Sequence, residues 1–239
     1  AHYIGRNYAT ACSSGSAALD IAVLALNLKI GDEVIMPSFT IISCAQALTK
    51  AGVRPVLVDS HYDTFNMKVD DIESKITKKT KAIMIVHMFG LTADVDPIIQ
   101  LAKKYNLKVI EDAAQMIGQD YKGKKCGSFG DVSIFSFYPN KHITTGEGGM
   151  VLCNDSLVDK RAKELRNLCF GEQRFVHEKI GFNYRMTNMQ AALGVAQLEK
   201  IDEVVKKKKW IGGKYNELLQ DLPTVNLPIK NTSYCNNIY

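Results

Sequence analysis

The sequence predicts an α/β fold with a central, mostly parallel seven-stranded sheet, and three observations lead to this prediction. Short apolar segments rich in β-branched residues alternate with segments of helical length. The strand segments are nearly continuously apolar, as in sheets that helices cover on both faces. The 239 residues, 46% apolar and 23% charged, have the composition of a globular protein with a sizeable core, which excludes a disordered chain.

The elements follow one another in strand–helix order along the chain. Strands are predicted at residues 8–12, 33–36, 54–58, 82–86, 108–111, 132–137 and 150–153. Helices are predicted between them, at residues 15–28, 42–50, 69–76, 97–105 and 157–168. Ligands of such sheets bind beyond the carboxyl ends of the strands, so we expect the functional residues there.

The pattern changes after Asn183. Thr187 is a good N-cap, and a long helical segment follows without a proline before Pro223, although Gly212 and Gly213 are expected to bend or break it. We interpret residues 1–202 as one large domain, from which we expect an N-terminal segment to be missing. Residues 203–239 are interpreted as a connecting helix and the start of an incomplete C-terminal domain.

Charge and cysteine content exclude several classes of protein. The net charge of +5 owes much to the lysines at residues 206–209, which we interpret as a solvated helix face. Trp210 alone does not supply the aromatic stacking of a nucleic-acid site, and no apolar run is long enough to span a membrane. The six cysteines lack metal-site spacing, which favours reduced thiols in a cytoplasmic protein without a metal site.

The first candidate for chemistry is the run of small residues SSGSAAL, which begins at Ser13, follows a predicted strand and opens a helix. Small residues allow the backbone to approach an anion, and the N-terminus of a helix offers free N–H groups to phosphate. An ordinary N-cap with a tight turn explains the same residues.

Two further candidates follow later strands. Asp112 lies in EDAAQ at a predicted strand end, where it can enter the ligand crevice or cap the next helix. Lys141 lies on a loop after another buried strand, before the glycine-rich run TTGEGG, and a lysine in a pocket can form a Schiff base. Neither a Walker loop nor GxGxxG after the first strand is present. A phosphate turn, an acid and a lysine are together the parts that a pyridoxal phosphate (PLP) enzyme needs.

The sequence also resembles a known family over most of its length. The stretches SSGSAALDIAVLAL, GDEVIMPSFT, KTKAIMIVHMFG, VIEDAAQMIG and GFNYRMTNMQAALGVAQLEKID are similar, in the same order, to the DegT/StrS family of fold-type-I, PLP-dependent sugar aminotransferases. The runs GFNYRMTN and ITTGEGGM look most like the GDP-perosamine synthase branch. The resemblance covers nearly everything from Tyr8 to about Asp202.

The resemblance implies roles for individual residues. Lys141 would carry the cofactor as a Schiff base and shuttle the proton, and Asp112 would keep the pyridine nitrogen protonated. Gln115 would bond the ring hydroxyl, with Ala114 beside it. The phosphate would be held by Ser14, Gly15, Ser16 and Ser136.

Further roles concern the edges of the site. Asn183 would reach the phosphate of a neighbouring subunit, since family members are dimers with shared sites. Phe175 and His177 would approach the sugar. Ile41 replaces the aromatic residue that many relatives stack on the cofactor ring, and Phe39 compensates only if the segment is extended.

The resemblance implies an enzyme that moves the amino group of L-glutamate to C4 of a nucleotide-linked 4-keto-6-deoxyhexose through pyridoxamine phosphate, giving a perosamine- or viosamine-type sugar. A 3-keto sugar or a cyclitol ketone as acceptor is the alternative, followed by a non-catalytic relative that binds PLP or a sugar nucleotide. Related 3-dehydratases have histidine where this chain has Lys141, so the lysine favours transamination. The partners implied are these substrates and a second subunit.

Overall fold

The fold is taken from a computed structural model, which describes residues 1–170, 175–177 and 179–235. Seven strands form the central sheet, and all seven coincide with predicted strands to within two residues at each end. They are β1 (Tyr8–Cys12), β2 (Glu33–Pro37), β3 (Arg54–Val58), β4 (Thr80–Val86), β5 (Lys108–Asp112), β8 (Val132–Ser136) and β9 (Gly149–Cys153). A small hairpin of β6 (Asp120–Tyr121) and β7 (Lys124–Lys125) lies between β5 and β8 in sequence.

The sheet has the order β1-β9-β8-β5-β4-β2-β3. Pairing is parallel along β3, β2, β4, β5 and β8, whereas β9 is antiparallel to both of its neighbours. Six strands therefore run in one direction, which confirms the mostly parallel seven-stranded sheet. Their carboxyl ends share one edge of the sheet.

Six helices accompany the sheet among the described residues. They are α1 (Gly15–Ala25), α2 (Ile42–Lys50), α3 (Val95–Lys104), α4 (Ser156–Arg166), α5 (Asn188–Leu198) and α6 (Ile201–Leu219). Strand β4 shows why its sequence is continuously apolar: Met84 packs into one core cluster, with α1 and α2, and Ile83 and Ile85 pack into another, with α3. Alternate side chains thus enter cores on opposite faces of the sheet.

Two helix predictions are wrong in detail. Residues 69–76 form two 3₁₀ turns, Val69–Asp71 and Glu73–Lys75, because only Ile72 between them is fully buried and one anchored side chain does not stabilise a regular helix. The C-terminal helical segment breaks at Glu199 and Lys200 rather than at the glycines.

The position of this break has a packing reason. It allows Ile201 to enter the core cluster that contains Ile4 and Phe135, whereas α5 buries no residue within the described chain. Helix α6 then continues through Gly212 and Gly213. The domain division at residue 202 stays a prediction. None of the helices described is both long and apolar enough to cross a bilayer.

Candidate active site

A cavity of about 410 Å³ opens at the edge of the sheet where the six codirectional strands end. We call it the carboxyl-edge cavity. Nine of the residues predicted to bind a cofactor line it, although they come from four separate stretches of sequence: Ser14, Gly15, Ser16, Ile41, Asp112, Ala114, Gln115, Ser136 and Lys141. The parallel sheet thus assembles residues that are far apart in the chain.

The N-terminus of α1 forms one wall of the cavity. Ser14 is the N-cap, and its Oγ accepts a hydrogen bond of 3.0 Å from the N–H of Ala17. The amides of Gly15 and Ser16 lie in the first turn, where no helical carbonyl can reach them, so they are donors for an anion. Ser16 also shares a hydrogen bond of 2.8 Å with Ser43. Hydroxyl and amide donors therefore cluster at the N-terminus of α1, where an anion can bind.

Gly15 permits the close approach of this turn to β8. A Cβ atom at residue 15 would lie 2.8 Å from Cβ and 3.0 Å from Oγ of Ser136, closer than real Cβ contacts. Only glycine therefore lets the first turn of α1 and the hydroxyl of Ser136 face the same small volume.

Replacing Gly15 by alanine should push these two donors apart. We expect a loss of about 1–3 kcal/mol in the free energy of unfolding, typical of overpacking, and at least about tenfold weaker PLP binding. Fluorescence titration and chemical denaturation measure the two effects. The matched control is Gly213→Ala, at a helical position where the added Cβ meets nothing within 4 Å. Equal PLP affinity in both variants would contradict a role of Gly15 in the phosphate wall.

Asp112 ends β5 and forms a buried part of the cavity lining, with 2% of its surface exposed. Its Oδ1 accepts a hydrogen bond of 2.9 Å from the N–H of Ala114, and its Oδ2 accepts one of 3.2 Å from the thiol of Cys44. Burial raises the pKa of the Asp112 carboxyl, and these two donors oppose the rise. The site therefore holds a basic carboxylate in a fixed orientation.

Lys141 follows β8 and also lines the cavity. Burial lowers the pKa of its ammonium group, while the nearby Asp112 carboxylate raises it. A lowered pKa increases the neutral fraction of the amine, which is the nucleophilic form. No other lysine lines the cavity within the described residues.

The amide of Gln115 is oriented by the turn after β4. Its Oε1 accepts a hydrogen bond of 2.7 Å from the N–H of Phe89. Because a side-chain amide has one acceptor and two donor positions, this bond identifies the Nε2 group as the donor for a ligand. That arrangement suits an acceptor such as a ring hydroxyl oxygen.

His87 is a buried part of the cavity lining. Its Nδ1 accepts a hydrogen bond of 3.0 Å from the N–H of Ala93, so the ring proton is on Nε2, which donates to Oε1 of Glu111 at 3.1 Å. Glu111 is also bonded by the N–H groups of Gly127 and Phe129. These hydrogen bonds hold the imidazole in one orientation.

Ile41 lies where its side chain can cover a ligand in the cavity, although it cannot stack on a ring as an aromatic residue would. Ile41 is the N-cap of α2, lines the cavity and is 59% exposed. Phe39 does not compensate, because it packs against Phe65 and Phe89 with ring centroids 5.3 and 6.2 Å away and is not part of the cavity lining.

Three predicted site residues lie outside the cavity. Asn183 is exposed, on a loop that is joined to the phosphate wall by the hydrogen bond of 2.8 Å from Ser13 N–H to the carbonyl of Tyr184. Phe175 is 73% exposed. His177 donates from Nδ1 to the carbonyl of Leu168 at 2.9 Å. These three residues therefore do not line the cavity of a single chain.

His142, next to Lys141, is buried. Burial and the nearby ammonium groups of Lys208 and Lys141 lower the pKa of its imidazole to about 4, so it is neutral at pH 7. It is not among the residues that line the cavity.

Sequence reasoning missed several of the residues that line or support the cavity. The polar ones not predicted are Thr40, Ser43, Tyr138, Asn140 and Glu147, and Cys44 lies behind the lining. Their position within two or three residues of Ile41 or Lys141 is the signal that could have found most of them. No such signal exists for Cys44, since only the fold brings α2 to the end of β5.

Comparison with known proteins agrees with this geometry. Residues 1–237 match the model of the DegT/DnrJ/EryC1/StrS aminotransferase family. The chain belongs to this family. Family members use PLP, and the fold of solved members is the α/β fold described above.

Individual relatives are similar over most of this chain. GDP-perosamine synthase of Escherichia coli O157:H7 is 48% identical over 220 residues, which cover 92% of this chain and 60% of that protein. A UDP-N-acetyl-3-dehydro-alpha-D-glucosamine 3-aminotransferase of Acidithiobacillus ferrooxidans is 40% identical over 91% of this chain and 59% of that protein. The chain thus spans about three fifths of these curated relatives.

Solved structures give the same result. DesV of S. venezuelae, solved in complex with a ketimine intermediate, superposes with a TM-score of 0.93 at 34% identity and covers 99% of this chain and 64% of DesV. DesV therefore shares the fold of this chain over nearly all of the chain's length.

The residues of the carboxyl-edge cavity fit PLP. In this family member, Lys141 would hold the cofactor aldehyde, Asp112 the pyridine nitrogen and the N-terminus of α1 the phosphate. When bound, PLP supplies an electron sink that makes a C–H bond beside the substrate nitrogen acidic. Lys141 can hold or move a proton at Nζ, and the Asp112 carboxylate can keep the pyridine nitrogen protonated. Burial shifts the pKa of Asp112 upward and that of Lys141 downward, both in the direction of neutral pH.

Proposed function

We propose that the protein is a PLP-dependent sugar-nucleotide aminotransferase. The observation that carries the proposal is the meeting of Lys141, Asp112 and the N-terminus of α1 in one cavity. The lysine offers an amine for the cofactor aldehyde and for proton transfer, and the buried aspartate in the same cavity offers a carboxylate for the pyridine nitrogen. A non-catalytic binding protein would not need this pair.

L-Glutamate is the proposed amino donor, and C4 of a nucleotide-linked 4-keto-6-deoxyhexose is the proposed acceptor. The product would be a 4-amino-4,6-dideoxy sugar nucleotide of the perosamine or viosamine type. Support comes from three GDP-perosamine synthases that are 41–48% identical to this chain. The relatives that act on 3-keto sugar nucleotides are 36–40% identical to this chain. The 4-keto acceptor is therefore preferred to the 3-keto sugar or cyclitol ketone.

A panel of keto-sugar nucleotides separates these acceptors. With L-glutamate as donor, we expect kcat/KM for a GDP- or dTDP-linked 4-keto-6-deoxyhexose to exceed that for a 3-keto sugar nucleotide by at least about 100-fold, since a misplaced carbonyl loses the positioning that drives the reaction. Mass spectrometry of the amino sugar product measures the rates. A higher rate with the 3-keto compound or a cyclitol ketone would overturn the 4-keto assignment while leaving the aminotransferase assignment intact.

A homodimer with shared active sites is part of the proposal. Helix α5 carries Met189, Leu193 and Val195 exposed, and none of its residues is buried within the described chain. A helix so apolar requires a partner surface. Asn183, just before α5, is also exposed, which suits a residue that reaches the site of a second subunit.

A cytoplasmic location completes the proposal. All six cysteines are free thiols, and five of them are buried. Free thiols are typical of reducing compartments, where the nucleotide sugar substrates proposed above would also be met.

A further inference from the structure

The buried thiol of Cys44 contacts the acid of the carboxyl-edge cavity. Cys44 lies in the first turn of α2 and is fully buried. Its Sγ is 3.2 Å from Oδ2 of Asp112, a residue 68 positions away in sequence. Thr40, at the end of the loop before α2, places its Oγ1 3.5 Å from the same sulfur.

Proton counting assigns the direction of both hydrogen bonds. An ionised carboxylate accepts only, so the single S–H proton of Cys44 points to Oδ2 of Asp112. The thiol has no second proton, and the hydroxyl of Thr40 is therefore the donor to Sγ. Burial raises the pKa of the Cys44 thiol well above its usual value, and the neighbouring Asp112 carboxylate raises it further, so the thiol keeps the proton that it donates.

We propose that Cys44 is a positioning residue that orients the Asp112 carboxylate and sets its basicity through the S–H···Oδ2 hydrogen bond. The Ala114 amide holds Oδ1 at 2.9 Å, and the thiol holds Oδ2, so both oxygens are fixed. Its relevance to catalysis rests on the proposed function, but the hydrogen bond itself does not.

The choice of a thiol has a chemical consequence. A donor to an ionised carboxylate lowers its pKa, and S–H is a weaker donor than O–H. A hydroxyl at residue 44 would therefore withdraw more basicity from Asp112, while an apolar side chain would withdraw none. A thiol keeps the carboxylate oriented and still basic enough to hold a protonated ring nitrogen.

Other groups around Asp112 belong to the same electrostatic setting. Lys141, which follows β8, lowers the pKa of Asp112 against the larger effect of burial, and His87, which follows β4, is fixed by its own hydrogen bonds to Ala93 and Glu111. None of these groups changes when Cys44 is replaced. Substitutions at residue 44 therefore isolate the effect of the thiol.

The test is a titration of Asp112 in the cofactor-free protein by carbon-13 NMR of aspartate carboxyl carbons, with the resonance assigned from Asp112→Asn. In Cys44→Ala we expect the proton affinity of Asp112 to rise about tenfold, because one hydrogen bond to a charged group is lost. In Cys44→Ser we expect it to fall below the wild-type value, because O–H is a stronger donor than S–H. Cys153→Ala is the matched control, a buried thiol bonded to the backbone carbonyl of Asp155 at the opposite edge of the sheet.

Two results would overturn the proposal. One is an Asp112 titration that is the same in wild type, Cys44→Ala and Cys44→Ser, which would assign Cys44 to packing alone. The other is a shift of equal size and direction in both variants. If Cys44→Ala does not fold, the comparison of wild type with Cys44→Ser decides, and an unchanged Asp112 titration overturns it. Because no cofactor or substrate is present, these results are independent of whether the protein is an aminotransferase.

Discussion

Replacing Lys141 by alanine should abolish amino transfer, with turnover falling by at least about 10⁴-fold, because one residue supplies both the covalent attachment of the cofactor and the mobile proton. No other lysine lines the cavity in the part of the chain that is described. PLP should still bind without covalent attachment, since Asp112 and the N-terminus of α1 are untouched.

Borohydride reduction followed by peptide mass spectrometry measures the attachment directly. Wild-type protein should retain the cofactor mass on the peptide that contains Lys141, and the variant should retain none. Lys122→Ala is the control, because Lys122 is exposed, pairs with Asp96 and is not among the residues that line the cavity. Turnover that survives in Lys141→Ala, or cofactor mass on a different lysine, would refute the role of Lys141.

Replacing Asp112 by asparagine should change function and stability in opposite directions. Turnover should fall by about 10²–10⁴-fold, because a neutral amide cannot hold a protonated ring nitrogen as a carboxylate does. The cofactor-free protein should nevertheless be more stable than wild type at pH 7, because the variant no longer buries an ionised carboxylate.

The pH dependence of this stability difference has a defined sign. Burial raises the pKa of Asp112 in the folded protein above its value of 3.8 in the unfolded chain. The folded state therefore binds more protons between these two values, and wild-type stability falls as pH rises through that window. Chemical denaturation should show the advantage of Asp112→Asn growing from low to neutral pH. A variant that is less stable at pH 7 and equally affected at pH 4 would contradict this account.

The fold was predictable because its signals are local. Strand β4 is apolar on both faces, which is typical of a strand in the middle of a covered sheet. The small residues after Cys12 indicate the start of α1. The break at Glu199 and the turns around Ile72 were not predictable, because each depends on which single side chain finds a place in the core. Local pattern carries no information on such tertiary contacts.

The residues of the candidate site also fall into two groups, those that local sequence signals indicate and those that only the fold brings to the site. Lys141, Asp112 and Ser14 stand at strand ends, so the rule for parallel sheets and the family resemblance both point to them. The thiol of Cys44 lies in an apolar segment and resembles any core cysteine until α2 packs beside the end of β5. Asn183 and the apolar side chains of α5 lie on the exposed surface of the single chain, so the structure of one chain does not show what they contact.

An absorbance spectrum of the protein with PLP, recorded before and after addition of L-glutamate, decides whether the carboxyl-edge cavity carries out amino transfer. We expect a visible band from PLP attached to Lys141, which glutamate should convert to the shorter-wavelength band of the pyridoxamine form. The matched control is Lys141→Ala, in which the band of attached PLP should be absent. A wild-type protein that shows no such band, or a band that glutamate leaves unchanged, would contradict the assignment of the cavity as a glutamate-dependent aminotransferase site.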